Sequence, residues 1–479
     1  MGEEIGSSNF RKKDFQRFLS NLNHETGLLG DWFEQGVFSD TGKVGGFELE
    51  AWLVNSDSQP SPINETFLRL AEADGLPVVA ELSRFNVEIN SEPRDLHGNV
   101  LSQMYAELEN TWRHCCGLAQ QLDASLMMTG ILPTVMDSEL ILANMSNVKR
   151  FRALNEQVLR LRDGRPMEID IQGSEMLRVS HGDVMLESAA TSFQLHFQVG
   201  VSQSAGYYNA AHILSAPMVA VCANSPYLFG RDLWDETRIP LFEQAVAMAD
   251  VYGRDGAQAG RVTFGAGYIE SSIYECFQRN LDCYPILLPA LSDTPVEELV
   301  HLRLHNGTIW RWNRPLIGFD SSGQPHLRIE HRVVPAGPTV IDSIANASLF
   351  YGALESMANA EKAPESLLGF EQARANFYAA AKHGLRAEVV WLDGKKISIL
   401  SLLQQQILPL ARQGLEKLGI NGDDAELFLG VIEGRLKNRC NGAVWQRDYV
   451  AKHSAGMVQL TQAYHERQQQ GQPVHEWSL

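Results

Sequence analysis

Several common signatures are missing from this 479-residue chain. It has no GxxxxGK[ST] loop and no GxGxxG after a strand, so any nucleotide must be held outside the P-loop and dinucleotide-binding modes. The lack of HExxH and GxSxG removes the zincin and nucleophile-elbow routes to hydrolysis. Six cysteines (Cys115, Cys116, Cys222, Cys276, Cys283, Cys440) contain no CxxC pair, which predicts reduced, structural thiols of a cytoplasmic protein. Basic residues are the minority, 40 Lys and Arg against 58 Asp and Glu for a net charge of −18. No basic footprint is left for nucleic acid. No apolar run reaches the ~20 residues that span a bilayer, and Met1-Gly2-Glu3-Glu4 does not open a signal peptide. A small-molecule partner is expected instead, with no nucleic acid or membrane. Oligomeric state is not legible.

The chain is 44% hydrophobic, ample for a large core. Helical spacing occupies 10–35, 62–73, 99–123, 146–163 and 207–223. The helix at 99–123 buries Leu101, Met104, Leu108, Trp112 and Cys115. Strand patterns fall at 45–54, 77–92, 125–131, near 166–171, 192–200, near 308–312 and 326–333. Residues 224–280 read as loops with short helices, a stretch suited to a lid. From Asp342 onward the pattern is helical, broken by a loop at 386–400 and ending in a frayed tail at 468–472. This is an α+β chain. We expect a single catalytic unit over 1–479, with a sheet-containing core at 40–342 and a helical portion at 343–479 packed on it.

Four of the strands carry the chemistry. Residues two apart on a strand share a face. Glu48 therefore faces with Glu50, Glu88 with its flanking asparagines, His196 with Gln194 and Gln198, and Glu330 with Arg328 and Arg332. Glu81 is out of parity with Glu88 and can join it only from a separate piece before a bend. Taken singly, each strand has a bland explanation: a wet acidic face, a structural histidine, an internal ion pair. Taken together, oxygen-rich acceptors suit Mg²⁺ or Mn²⁺, and the guanidiniums suit phosphate. Two divalent cations would offset most of the charge on Glu48, Glu50, Glu81, Glu88 and Glu330. Without cations, mutual repulsion should raise these carboxyl pKa values.

The order Gly-x-Glu-x-Glu, then Val-Glu-Ile, Leu-His-x-Gln-Val and Arg-Ile-Glu-x-Arg resembles the glutamate–cysteine ligase type 2 family of carboxylate–amine ligases, in the glutamine synthetase-like superfamily. Gly130-Ile131-Leu132-Pro133, Asn224-Ser225-Pro226, Val333-Val334-Pro335, Asp342 and Asn441 to Gln446 support the likeness, which spans about 40–450. One departure is Val-Glu-Ile-Asn-Ser-Glu-Pro, a residue longer before proline than the family's usual form. The resemblance implies a curved, mainly antiparallel sheet whose polar concave face holds Mg²⁺ ions (or Mn²⁺) and ATP, flanked by helices. It implies that Glu48, His196 and Glu330 hold the ion at the nucleotide phosphates, and Glu50, Glu81 and Glu88 the ion nearer the substrate carboxylate. Arg332 would stabilise the transferring phosphoryl group, assisted by Arg328. Arg238 and Arg311 are weaker candidates for nucleotide or carboxylate contacts. The implied reaction joins glutamate, through a γ-glutamyl phosphate, to cysteine or another amine, as in glutathione biosynthesis. A different acid or amine, or a catalytically silent nucleotide or amino-acid sensor, are the alternatives. Trp445, Gln446 and Arg447 are expected to anchor a helix, the alternative being that they line the site.

Overall fold

The computed structural model describes residues 5–6, 10–40, 42–248 and 260–479. Its strands in chain order are β1 (Val44–Val54), β2 (Val78–Ala80), β3 (Asn86–Asn90), β4 (Arg94–Asp95), β5 (Ser125–Met127), the hairpin β6 (Met167–Gln172) and β7 (Met176–His181), β8 (Phe193–Val199), the short pair β9 (Tyr227–Leu228) and β10 (Arg231–Asp232), β11 (Asn313–Phe319) and β12 (Pro325–His331). A curled half-barrel sheet runs β11-β12-β8-β1-β3-β2, with β4 and β5 also on β1. Every pairing in it is antiparallel.

Alternation separates the two faces. Phe47, Leu49, Val87, Ile89, Leu195, Phe197, Leu327 and Ile329 are buried on the convex side. That side is covered by two apolar helices, Ser204–Cys222 and Val340–Ala358. Tyr207 of the first stacks on Phe197 at 5.5 Å between ring centroids. Tyr351 of the second donates to the Gly46 carbonyl at 2.8 Å. His331 also points this way and stacks on Phe350, 4.2 Å away. A third helix, Leu408–Lys417, crosses the second where Gly352 and Gly414 meet. A Cβ on Gly352 would stand 2.2 Å from the Ala411 carbonyl oxygen, so only glycine permits this approach.

Several motifs noted in the sequence gather beneath the sheet. Asn224 donates to the Ala336 carbonyl and to the Tyr464 hydroxyl, both at 2.8 Å, and accepts from Gln446 at 3.0 Å. A Cβ on Gly130 would lie 2.9 Å from Pro335 and 3.0 Å from Ser225. Asp342 pairs with Arg435 at 2.8 Å, both buried. These motifs fasten the helical portion to the sheet. Trp445 packs among Tyr449, Tyr464 and Trp477, and Arg447 bonds Asp232 and Asp235.

Three expectations change. The strand expected near 308–312 begins at Asn313, because the Trp310 and Trp312 amides donate to the Arg261 and Thr263 carbonyls instead. The loop at 386–400 is a hairpin, Glu388–Val390 against Lys396–Ser398, turning at Asp393-Gly394. The tail is a helix to Gln470 because Gln468 is buried, bonding the Met128 amide and carbonyl and the Pro338 carbonyl. Within the stretch suited to a lid, residues 249–259 lie outside the described residues; the rest holds helices Arg238–Ala245 and Tyr274–Cys283.

Candidate active site

Strand register gathers the acidic residues. Glu50 is opposite Glu88 and Glu48 opposite Asn90; Glu48 also faces Gln194. His196 is opposite Glu330, and Glu330 opposite Arg314. Chain parity and hydrogen-bonded pairing thus set all these side chains on the concave face. Glu81 arrives one residue past the end of β2, where the chain bends before β3.

Two groups of three result, Glu48 with His196 and Glu330, and Glu50 with Glu81 and Glu88. In each group one ligand atom per residue lies within 4.8 Å of the others. Glu48 Oε2, His196 Nε2, Glu81 Oε1 and Glu88 Oε2 are buried without a hydrogen-bond partner. Orphaned buried acceptors on carboxylates are costly. Hard, oxygen-preferring divalent cations fit this donor set, with the imidazole as a tolerable nitrogen ligand in the first group.

The two groups differ electrically. Burial and neighbouring carboxylates push Glu88 well above the ordinary range, raise Glu81 and bring Glu50 up to about 7. Mutual repulsion therefore acts here as the sequence suggests. In the first group it does not prevail. Burial pushes Glu48 upward, but His196, 3.3 Å away, holds it at about 2. Glu330 is likewise held low against its burial, by Arg314 and Arg332. Arg314 grips both Glu330 oxygens, at 2.8 and 2.9 Å, and Arg332 bonds Glu330 at 3.0 Å as well as the Gln194 side chain.

A cavity of about 440 Å³ opens over both groups. Glu48, Glu50, Glu81 and Glu330 line it, together with Arg238, Arg314, Arg328 and Arg332. Arg328 Nε and Arg332 Nε are buried without partners. Arg238 touches the cavity, but its guanidinium is occupied by Glu236 and the Arg332 and Val333 carbonyls. Arg311 is not brought to the cavity; it packs 5.3 Å from the Tyr284 ring. Glu92, in the irregular segment before proline, is exposed.

Sequence reasoning missed two residues. Arg314 was invisible because its strand was placed too early. Glu187 lines the cavity from the 3₁₀ turn Val184–Ala189, where no periodicity marks it. Its carboxyl is pushed up to about 8 by burial and by Glu81 and Glu50, against the pull of Arg332.

The "Glutamate-cysteine ligase family 2 (GCS2)" model matches residues 44–466. The chain belongs to that family, which makes a carboxylate–amine ligase the supported class of protein. A crystal structure of glutamate–cysteine ligase from Francisella tularensis, in complex with AMP, aligns at 12% identity and a TM-score of 0.51, over 92% of this chain and 90% of that one. A bifunctional glutathione synthetase from Pasteurella multocida aligns at 10% identity and a TM-score of 0.49, over 91% of this chain and 54% of that one. At such identity the first likeness concerns the fold alone. No curated protein sequence matches the chain.

Proposed function

We propose that this protein is an ATP- and Mg²⁺-dependent ligase that activates a carboxylic acid, glutamate at its γ-carboxylate being the leading candidate, and joins it to an amine such as cysteine. The observation that carries this reading is the placement of two three-ligand groups side by side on one concave wall, with Arg314, Arg328 and Arg332 among them.

The chemistry follows from charge. A carboxylate is a poor electrophile because its oxygen leaves badly. Its attack on the γ-phosphorus of ATP forms a new oxygen–phosphorus bond and breaks the bond to ADP. The amine then attacks the acyl carbon, a carbon–nitrogen bond forms, phosphate departs with the electron pair, and the nitrogen loses a proton. Glu48, His196 and Glu330 would hold one cation, and Glu50, Glu81 and Glu88 the other. Bound there, cations supply charge neutralisation at the phosphates and the substrate carboxylate. Arg332 and Arg328, with Nε atoms lacking partners, would meet charge spreading over the transferring phosphoryl group. Arg314 holds Glu330 in place and neutralises it in the meantime. Gln194 orients both Arg332 and Glu50. Burial of the whole face would limit hydrolysis of the acyl phosphate.

Mn²⁺ would serve in place of Mg²⁺ at such sites. Six free thiols suit a reducing compartment, and we place the protein in the cytoplasm. No described helix is long and apolar enough to cross a membrane.

The test is phosphate release from ATP and Mg²⁺ with a panel of acids, glutamate first, each with and without cysteine and other amines, and products read by mass. Acid- and amine-dependent release with an amide product supports the ligase. ATP binding without turnover across the panel would favour a sensor, and absence of ATP binding would overturn the reading.

A further inference from the structure

Glu187 belongs to neither three-ligand group, yet it lies on the same cavity wall, beside Ser188, Thr191 and Ser192. Glu50, one of the charges that act on it, is already engaged. Glu50 accepts from the Ser192 amide at 2.7 Å, the Ser192 hydroxyl at 2.9 Å and Gln194 at 2.8 Å. Arg332 bonds Glu330 and Gln194 through Nη1. Glu187 Oε2, by contrast, is buried without a partner, and no Lys, Arg or His forms an ion pair with Glu187 among the described residues. A carboxylate kept in this state within a cavity awaits a donor from outside the chain.

Location narrows the donor. Glu187 lines the same cavity as Glu50, Glu81 and Arg332, and their charges act on it. On the ligase reading, that is where the acyl carbon is attacked. An aliphatic amine arrives at neutral pH as an ammonium, carrying three donors and one proton too many. The cavity wall also carries apolar side chains, Phe151 and Leu154 from the helix Lys149–Leu161 and Leu82 from the bend, which suit an aliphatic substituent.

Resting on the ligase assignment above, we propose that Glu187 receives the incoming primary amine: it holds the ammonium in the cavity and takes one proton from it, freeing the lone pair that attacks the acyl carbon. The second proton, released as the carbon–nitrogen bond forms and the bond to phosphate breaks, leaves with the departing phosphate. An ammonium also offsets the repulsion that Glu187 feels from Glu81 and Glu50, so the anion is favoured when amine is bound.

The experiment uses Glu187→Gln, which keeps the size and removes the charge, with glutamate as acid and two nucleophiles. Hydroxylamine is uncharged at neutral pH and attacks an acyl phosphate without a base; cysteine and simple alkylamines arrive as cations. Wild-type protein should form hydroxamate and amide. The variant should keep hydroxamate formation within about threefold and lose amide formation by about 10²-fold or more, the scale of general-base catalysis. Raising pH, which frees the amine, should narrow the gap. Hydroxamate formation is itself the folding control. Equal loss of both products overturns the proposal, as does loss of neither. A higher KM for glutamate with both nucleophiles would make Glu187 a binder of the acid, and a higher Mg²⁺ requirement with both would make it a metal ligand; either outcome overturns it too. No hydroxamate from the wild type with any acid would sink the ligase reading, and this proposal with it.

Discussion

Glu88 should destabilise the metal-free protein, and its neutral isostere should reverse that. Glu88 is fully buried, receives one hydrogen bond, from Asn90 at 3.1 Å, and leaves Oε2 unpaired. Its folded-state pKa lies well above the ordinary 4.5. Between the two values the unfolded chain has released a proton that the native chain retains, so native stability falls as pH rises. The loss cannot exceed about 1.36 kcal/mol for each pH unit above 4.5, which is about 2 kcal/mol at pH 6 and about 5 kcal/mol at pH 8. Unfolding entropy of ~2.1 cal/mol/K per residue over 479 residues makes each kcal/mol worth about 1 °C. In EDTA, Glu88→Gln should therefore melt up to about 2 °C above wild type at pH 6 and up to about 5 °C above it at pH 8, with no difference below pH 4.5. Millimolar Mg²⁺ or Mn²⁺ should raise the wild-type melting temperature by about 3 °C if it reaches ~100 times its Kd, and raise the variant by much less. Scanning fluorimetry over pH, with and without metal, reads both effects. A variant that melts below wild type in EDTA at pH 8, or that gains as much from metal, would refute the reasoning.

Three further outcomes are expected. Glu48→Gln should lose ATP-dependent phosphate release and, because His196 holds that carboxyl at about 2, up to about 3 kcal/mol of stability at neutral pH, whereas Glu330→Gln should lose about 3–5 kcal/mol by leaving Arg314 and Arg332 buried without their carboxylate; thermal melts beside turnover read both. Glu243, which accepts from Trp312 at 2.8 Å and Tyr378 at 2.7 Å, has its carboxyl raised to about 7 by burial. Native stability should fall by up to about 3 kcal/mol as pH rises from 4.5 to 7 on its account, and Glu243→Gln should flatten that part of the pH–melting curve. Gly352→Ala should cost about 1–3 kcal/mol by forcing two helices apart, measured by denaturant unfolding, with Gly27→Ala, inside the helix Lys12–Gln35 where nothing lies within 4 Å of the added Cβ, as the control that should gain up to about 1 kcal/mol.

What could be read before folding was whatever obeyed a period. Glu48, Glu50, Glu88, His196 and Glu330 stood out because strand alternation exposes a polar row beside an apolar one, and the likeness to a ligase family grouped them. Glu81 obeys no period, yet one bend delivers it. Pairing between strands is not written locally. That is why Arg314, whose importance comes from lying opposite Glu330, was missed, and why Glu187, on a short turn, left no trace. Composition could not separate a hairpin from a loop at 386–400, nor tell that Gln468 would be buried by carbonyls from distant segments.

The sheet order also fixes when each half of the site can exist during synthesis. Glu50, Glu81 and Glu88 come from residues 50–88, and β1 and β3 are joined directly. Glu48, His196 and Glu330 need residues 48–330, since β12 reaches β1 only through β8. Closing so wide a span is slow relative to local contacts. A chain still on the ribosome, with β12 not yet emerged, would hold one carboxylate group assembled and the other still lacking Glu330. The two groups are thus completed in order, the later one only once β12 pairs with β8.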